Sequence, residues 1–262
     1  FIPENVTVSK PELSDIKGFY LLNEGNMGSN KSTLDYYDYT TGVYTRNIYG
    51  NANPSVPKEL GDVGNDIAVY GTKLYAVINC SNKIEVMDMA TAKRVGQINI
   101  PNCRYIKFHD GYAYVTSYAG PVEINPDYEQ KGYVAKVDTA SFTVVDTCVV
   151  GFQPDELEIV DDRIYVANSG GYMVPNYENT LSVIDIATFK EVERVPIAIN
   201  LQCVVGDEYG GLWVSTRGDY YEEESALFCY DVRKKRIETK LDVPVSSMWL
   251  DGDMLYVVSI AW

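Results

Sequence analysis

From Gly18 onward the chain is a succession of short apolar runs separated by polar turns, with no stretch carrying the helical three-to-four spacing of apolar residues. The clearest runs are 19–23, 74–79, 113–117, 164–168, 212–216 and 255–259, and each holds an aromatic at the same place: Tyr20, Tyr75, Tyr114, Tyr165, Trp213 and Tyr256. Such near-continuous apolar strands suit sheets covered on both faces. A second set of strands, as at 84–87 and 181–184, runs into an aspartate, and the five aspartates Asp38, Asp88, Asp138, Asp185 and Asp231 lie 50, 50, 47 and 46 residues apart. Thr41, Thr91, Ser141 and Thr188 follow three residues later, so carboxylate and hydroxyl can both bind turn amides before the next strand; the fifth copy has Lys234 there. Shorter strands precede Gly or Asp turns at 67–70, 105–108, 157–160 and 248–250. Four strands in a unit of about 45 residues, repeated in tandem, predict an all-β protein, a β-propeller of four-stranded blades. A β-helix is the rival, but its repeats are shorter and carry fewer strands.

The first unit starts at its second strand and the sixth stops after its second, so the chain is expected to cover about five and a half blades. The reading is an N-terminal arm at 1–16 and one propeller domain at 17–262, C-terminally incomplete. A five-bladed closure using 246–250 as inner strand of the first unit would leave 254–262 unpaired.

Composition supports one large domain: 262 residues, 46% hydrophobic, with no apolar run near the length of a membrane span. The net charge of −15 would repel a polyanion, so nucleic acid and anionic membrane surfaces are not expected as partners. Five cysteines are scattered without a CxxC spacing and read as small buried hydrophobes, with a Cys80–Cys103 disulfide left open. His109, the single histidine, cannot build a multi-imidazole metal site and reads as a turn-flanking residue. No G-x-S-x-G elbow, P-loop or G-x-G-x-x-G is present, so catalysis and a bound cofactor are not expected.

The irregularity lies in the connections that a propeller gathers on one face. These are long at 23–33, 51–66, 118–133, 168–180 and 217–225, whereas the turns of the opposite face are uniformly short. Loops that interrupt a regular repeat on one face are where binding function is carried. Their Tyr, Asn and Gln content combines ring area with hydrogen bonding, suited to a large polar ligand such as a corrinoid or a glycan. The candidate contacts are Asn23, Glu24 and Asn26 from the first blade; Arg104, Gln153, Gln202, Asn168 and Arg217 as polar anchors; and Tyr105, Tyr118, Tyr172, Tyr220 and Trp249 as stacking area. Asp219, Glu222, Glu223 and Glu224 could hold Ca²⁺ through oxygen ligands, with a solvated charge run as the plainer reading. Asn5-Val6-Thr7 and Asn30-Lys31-Ser32 match the glycosylation acceptor pattern.

The opening 18–38, GFYLLNEGNMGSNKSTLDYYD, resembles the first blade of exported Bacteroides-type propellers described as surface-layer or YncE-like proteins. The stretches IYVANSGGY at 164–172 and SVIDIAT at 182–188 resemble the YVTN-type repeat of the same superfamily, and the likeness runs from 18 to 262. That resemblance implies a seven-bladed propeller of the group that includes BtuG-like surface lipoproteins, which capture cobalamin for a TonB-dependent outer-membrane transporter. It implies export to the cell surface, outer membrane or periplasm and a lipid anchor upstream, although no lipoprotein cysteine is in this sequence. Two other classes stay open: a propeller that binds protein or glycan, and a propeller hydrolase or lyase with a carboxylate-held metal. The latter needs several acidic side chains at the inner-strand starts, where the sequence is read as carrying Arg104, Gln153, Gln202 and Ser246.

Overall fold

A computed structural model describes residues 16–260. Nearly all of the expected arm, including the Asn5-Val6-Thr7 pattern, lies outside the described residues.

The first sheet has three strands, β1 (Gly18–Asn23), β2 (Thr33–Asp38) and β3 (Tyr44–Thr45). A short helix, α1 (Ile48–Ala52), follows. Then come four-stranded antiparallel blades: β4 (Gly64–Tyr70), β5 (Lys73–Ile78), β6 (Lys83–Asp88) and β7 (Arg94–Asn99); β8 (Cys103–His109), β9 (Tyr112–Ser117), β10 (Tyr133–Asp138) and β11 (Thr143–Val149). The next are β12 (Pro154–Val160), β13 (Arg163–Asn168), β14 (Thr180–Asp185) and β15 (Lys190–Pro196), and β16 (Leu201–Gly206), β17 (Gly211–Thr216), β18 (Ala226–Asp231) and β19 (Arg236–Leu241). A hairpin of β20 (Ser247–Asp251) and β21 (Met254–Val258) completes the described chain. The strand order within each blade is sequential, and the innermost strands β4, β8, β12, β16 and β20 pack in succession. The fold is therefore the propeller expected from the repeat.

Each apolar cluster lies between two blades rather than inside one, which is why a single unit could not bury its own face. Tyr75, Val77 and Ile84 pack on Ala113, Val115 and Val137; Tyr114 and Val134 pack on Ile164, Val166 and Phe189. In the four-stranded blades the second strands accordingly are largely buried on both faces, as in Leu74 through Ile78.

The repeated aspartates do what their spacing suggested. The Oδ1 of Asp138 accepts the amides of Ala140 and Ser141 at 2.8 and 2.7 Å, and that of Asp185 accepts the Thr188 amide and hydroxyl at 2.9 and 2.8 Å. Backbone amides hold both carboxyls below the usual carboxylate range. In the fifth copy, Lys234 replaces the hydroxyl with an ion pair to Asp231 at 3.0 Å. Four residues after each aspartate the backbone turns left-handed, at Gly42, Ala92, Phe142, Phe189 and Lys235, and that residue's amide donates to the aspartate carbonyl.

A helix was not expected, yet α1 forms because Asn47 caps it, accepting the Gly50 amide at 3.1 Å, and because Tyr49 is buried against the second blade. Its sequence is too short for periodicity to reveal it. The innermost strands begin two or three residues earlier than their apolar runs suggested, at Gly64, Cys103 and Pro154, because a bulge interrupts the apolar alternation near each start. All five cysteines are free, with the Cys103 thiol directed at the carbonyls of Ile78 and Lys83 rather than at Cys80.

Candidate functional site

The bulges set the site. When the blades are aligned on Ile106, Leu157 and Val204, the residues two positions earlier are Arg104, Asp155 and Gln202, and those one position earlier are Tyr105, Glu156 and Cys203. Immediately before each innermost strand stands a left-handed residue: Asn102 (φ 43), Gln153 (φ 41) and Asn200 (φ 55). Side chains with an amide tolerate that conformation by bonding locally. Asn102 Nδ2 donates to the Gly120 carbonyl at 2.8 Å and Asn200 Nδ2 to that of Gly218 at 2.9 Å, so both tie an innermost strand to the long loop above it.

Asp155, fully buried, is the hub. Arg217 Nη1 donates to its Oδ2 at 2.8 Å, Arg104 Nη2 reaches its Oδ1 at 3.4 Å, and the Tyr118 hydroxyl donates to Oδ1 at 2.6 Å. Burial opposes ionisation of Asp155, but Arg217 and Arg104 outweigh it and hold the carboxyl below its ordinary range. Burial likewise opposes the charge on Arg104, and Tyr118 and Asp155 beside it more than compensate, raising its pKa; Arg217 is raised against burial chiefly by Asp155. Burial pushes the Tyr118 hydroxyl up. The Arg104 guanidinium also lies over the Tyr118 ring, 4.9 Å from its centroid.

Above this network is a cavity of about 250 Å³. The blade of β8–β11 contributes Arg104 and Tyr118, the next contributes Ser169, Gly171 and Tyr172, and the one after contributes Asn200, Arg217 and Tyr220. Three buried polar atoms here have no partner: Arg104 Nε, Gln153 Nε2 and Asn200 Oδ1. The loop carrying Arg217 depends on Gly218 (φ 64), where an added Cβ would strike the Glu223 backbone.

Of the residues singled out from sequence, Arg104, Tyr118, Tyr172, Arg217 and Tyr220 meet in this cavity. Gln153 backs it, its Oε1 accepting the Tyr172 amide at 3.3 Å. Tyr105 sits beside Arg104, 5.8 Å from ring centroid to guanidinium. The others are elsewhere. Asn168 is an internal brace, accepting the Gly151 amide at 3.1 Å and donating to Thr180 and Ser182 at 3.1 and 2.8 Å. Gln202 donates to the Ser246 carbonyl at 3.1 Å, joining two blades. Asn23 donates to Thr33 at 3.1 Å within its own sheet, and Glu24 and Asn26 are exposed on the first loop. Trp249 stacks on Tyr256 at 5.3 Å, half exposed.

Asp155 and Asn200 were not anticipated. The expectation that innermost-strand starts lack acids is corrected, because the bulge places Asp155 and Glu156 there, and Asp66 at the corresponding point of β4. Counting two positions back from Ile106 and Leu157 would have aligned Asp155 with Arg104. Asp66 and Glu156 serve the inter-blade seams: Asp66 Oδ2 accepts the Ile106 amide at 2.9 Å and Glu156 Oε2 the Val204 amide at 3.0 Å. Burial pushes their carboxyls up, to about 6 and about 7. Among the described residues no three His, Cys, Asp or Glu side chains converge as a metal site requires. In the acidic run Asp219 Oδ1 accepts the amides of Tyr221, Glu222 and Glu223, each at 2.8–2.9 Å, and so shapes its own loop.

A larger apolar groove, about 830 Å³, runs between β1 and β4, and a hollow of about 350 Å³ lies beside Glu222 and Lys240; among the described residues that line them none has an unpaired buried polar atom.

The family described as Domain of unknown function (DUF5074) matches residues 17–253. None of the curated proteins matches the sequence. Among solved structures, Kuenenia stuttgartiensis hydrazine synthase is similar with a TM-score of 0.57 at 17% identity, over 68% of this chain and 48% of that one. The dihydro-heme d1 dehydrogenase NirN, solved in complex with DHE, gives 0.54 at 13% identity, over 82% and 44%. A protein of unknown function from Bacteroides caccae gives 0.54 at 13% identity, over 88% and 78%. The chain spans about half the length of the first two. At these identities the likeness carries the fold alone.

Proposed function

This chain belongs to the DUF5074 family, and we propose that it is a ligand-binding propeller that captures a polar small molecule on its long-loop face. The observation that carries the reading is the cavity itself: three consecutive blades deliver guanidinium, phenol and amide groups to one hollow, and two of the unpaired atoms belong to residues that line it. Strand β8 holds Arg104, the short connection before β16 holds Asn200 and long loops hold the rest, an arrangement suited to selective binding.

The groups present favour binding over turnover. Among the described residues that line the cavity no nucleophile is paired to a base, and the carboxylate beneath it, Asp155, is locked between two arginines. That NirN and hydrazine synthase have names of enzymes does not transfer chemistry at such low identity.

The resemblance to BtuG-like exported propellers makes a corrinoid the first ligand class to test, with delivery to a TonB-dependent transporter as the accompanying role at the cell surface. A cavity of about 250 Å³ is below the roughly 300–1,000 Å³ of pockets that enclose a drug-sized ligand. It would receive a peripheral group of a corrinoid, while Tyr220, largely exposed at the rim, met the larger body. Calorimetric titration with cyanocobalamin is expected to give heat, and the protein to retain the corrin colour through gel filtration. No heat and no retained colour would remove the corrinoid from the proposal.

A further inference from the structure

We infer that the group anchored in this cavity is a compact oxyanion, a carboxylate or a phosphate ester, carried next to a hydroxyl; the inference rests on the ligand-binding reading above. Two guanidiniums offer ten N–H donors between them. Asp155 takes one from each, at 2.8 and 3.4 Å, and Arg104 Nε is buried with no acceptor. One carboxylate against two guanidiniums leaves a local surplus of one positive charge, inside a chain whose net charge is −15. A surplus cation that is largely withdrawn from water is costly, and with the Arg104 and Arg217 side chains only 18% and 25% exposed an incoming anion relieves that cost. The planar fork of arginine matches a carboxylate or phosphate edge with two parallel bonds.

The neighbouring amides specify what accompanies the charge. Asn200 is 1% exposed, and because its Nδ2 donates to the Gly218 carbonyl, its Oδ1 must face the other way and accepts from nothing. A ligand hydroxyl would supply that donor. Gln153, also 1% exposed, has its Oε1 taken by the Tyr172 amide, which leaves its Nε2 as a further unmatched donor behind the lining. The rings of Tyr172 and Tyr220 supply apolar area for the face of a sugar ring. The cavity's 250 Å³ is roughly eight water volumes of ~30 Å³, room for one ring with its charged group. A sugar acid and a sugar phosphate both have this chemistry.

The test is calorimetry on the full chain with sodium D-glucuronate, glucose 6-phosphate and D-glucose. At least one anion is expected to bind about tenfold or more tightly than glucose, the worth of one charge-assisted hydrogen bond. Whichever anion is preferred identifies the carboxylate or the phosphate as the source. R217K keeps the charge but loses the fork, and should weaken the preferred anion by about tenfold. Because R217K could weaken binding through the fold alone, D155N is the second variant: removing the internal carboxylate frees both arginines, so the anion should bind more tightly. Glucose binding as well as the anions, or D155N weakening the anion as R217K does, overturns the inference and leaves the ligand-binding reading standing. Silence from all three sugars also overturns it, and cyanocobalamin then decides the broader reading separately.

Discussion

Polar side chains in this protein carry out two different tasks, and their hydrogen bonds tell them apart. Asn168 and Asn200 are both fully or nearly fully buried asparagines next to long loops. Asn168 has every polar atom engaged, with Gly151, Thr180 and Ser182 around it, so its role is to brace the fourth blade. Asn200 keeps its carbonyl oxygen free beside Arg104 and Arg217, so its role is open to a ligand. Asn168→Ala is therefore expected to cost about 2–3 kcal/mol of stability, since it orphans the buried Gly151 amide and the Ser182 hydroxyl, while Thr180 keeps Glu178. Urea denaturation measures this, and a midpoint equal to that of the unsubstituted protein would contradict the brace. Sequence nominated Asn168 for the ligand and passed over Asn200, because the two roles depend on which partners the tertiary fold brings within about 3 Å.

At the scale of elements, the clearest case is α1, five residues long and far too short to be stable alone. It holds because Tyr49 reaches Glu85 on β6 at 3.2 Å, where Arg94 and Lys83 also pair with that carboxylate. Asn53 then clips the helix end to the next turn, donating to the Tyr49 and Ala92 carbonyls at 2.8 and 2.9 Å and accepting the Arg94 amide at 2.9 Å. Tyr49→Phe should cost only about 1 kcal/mol, because Glu85 keeps its two cations. Tyr49→Ala should cost about 3–5 kcal/mol, as it empties a packed position between the first two blades. Thermal unfolding of the two variants separates these values; equal losses would mean the phenol oxygen, not the ring, holds α1. The strands themselves were readable from alternation and turn residues, whereas the bulges that start the innermost strands were not, since a bulge interrupts the very periodicity used to find a strand.

For the whole molecule, charge sets the response to pH. Asp66 and Glu156 titrate near 3.8 and 4.5 when unfolded, and near 6 and 7 when folded. Between those values the folded state holds protons that the unfolded state has released, so these two groups stabilise most below about pH 4, and their contribution fades as pH rises through about 7. The turn aspartates Asp38, Asp138 and Asp185 act in the opposite sense. Their folded pKa values are lowered, so their contribution is present above the unfolded value and is lost as pH falls through the folded one. With a net charge of −15 adding self-repulsion as pH climbs, maximal stability is expected on the acid side of neutrality. Urea midpoints measured from about pH 5 to about pH 8 should fall, and Glu156→Gln, which can still accept the Val204 amide, should flatten the decline. Midpoints that rise over this range would show that the seam carboxyls are ionised throughout.

The repeat of strand, aspartate and turn is written in local chemistry, and that is why sequence by itself determined the propeller, the order of strands within each blade and the face that carries the long loops. Short-range constraints suffice there: an aspartate bonds amides two and three residues away, and a twice-covered strand must be apolar throughout. Only the tertiary structure decided that Arg104, Asp155 and Arg217, separated by 51 and 62 residues, share one buried network. Their meeting depends on how far each bulge advances a strand and how successive blades rotate about the axis, quantities that no single repeat encodes.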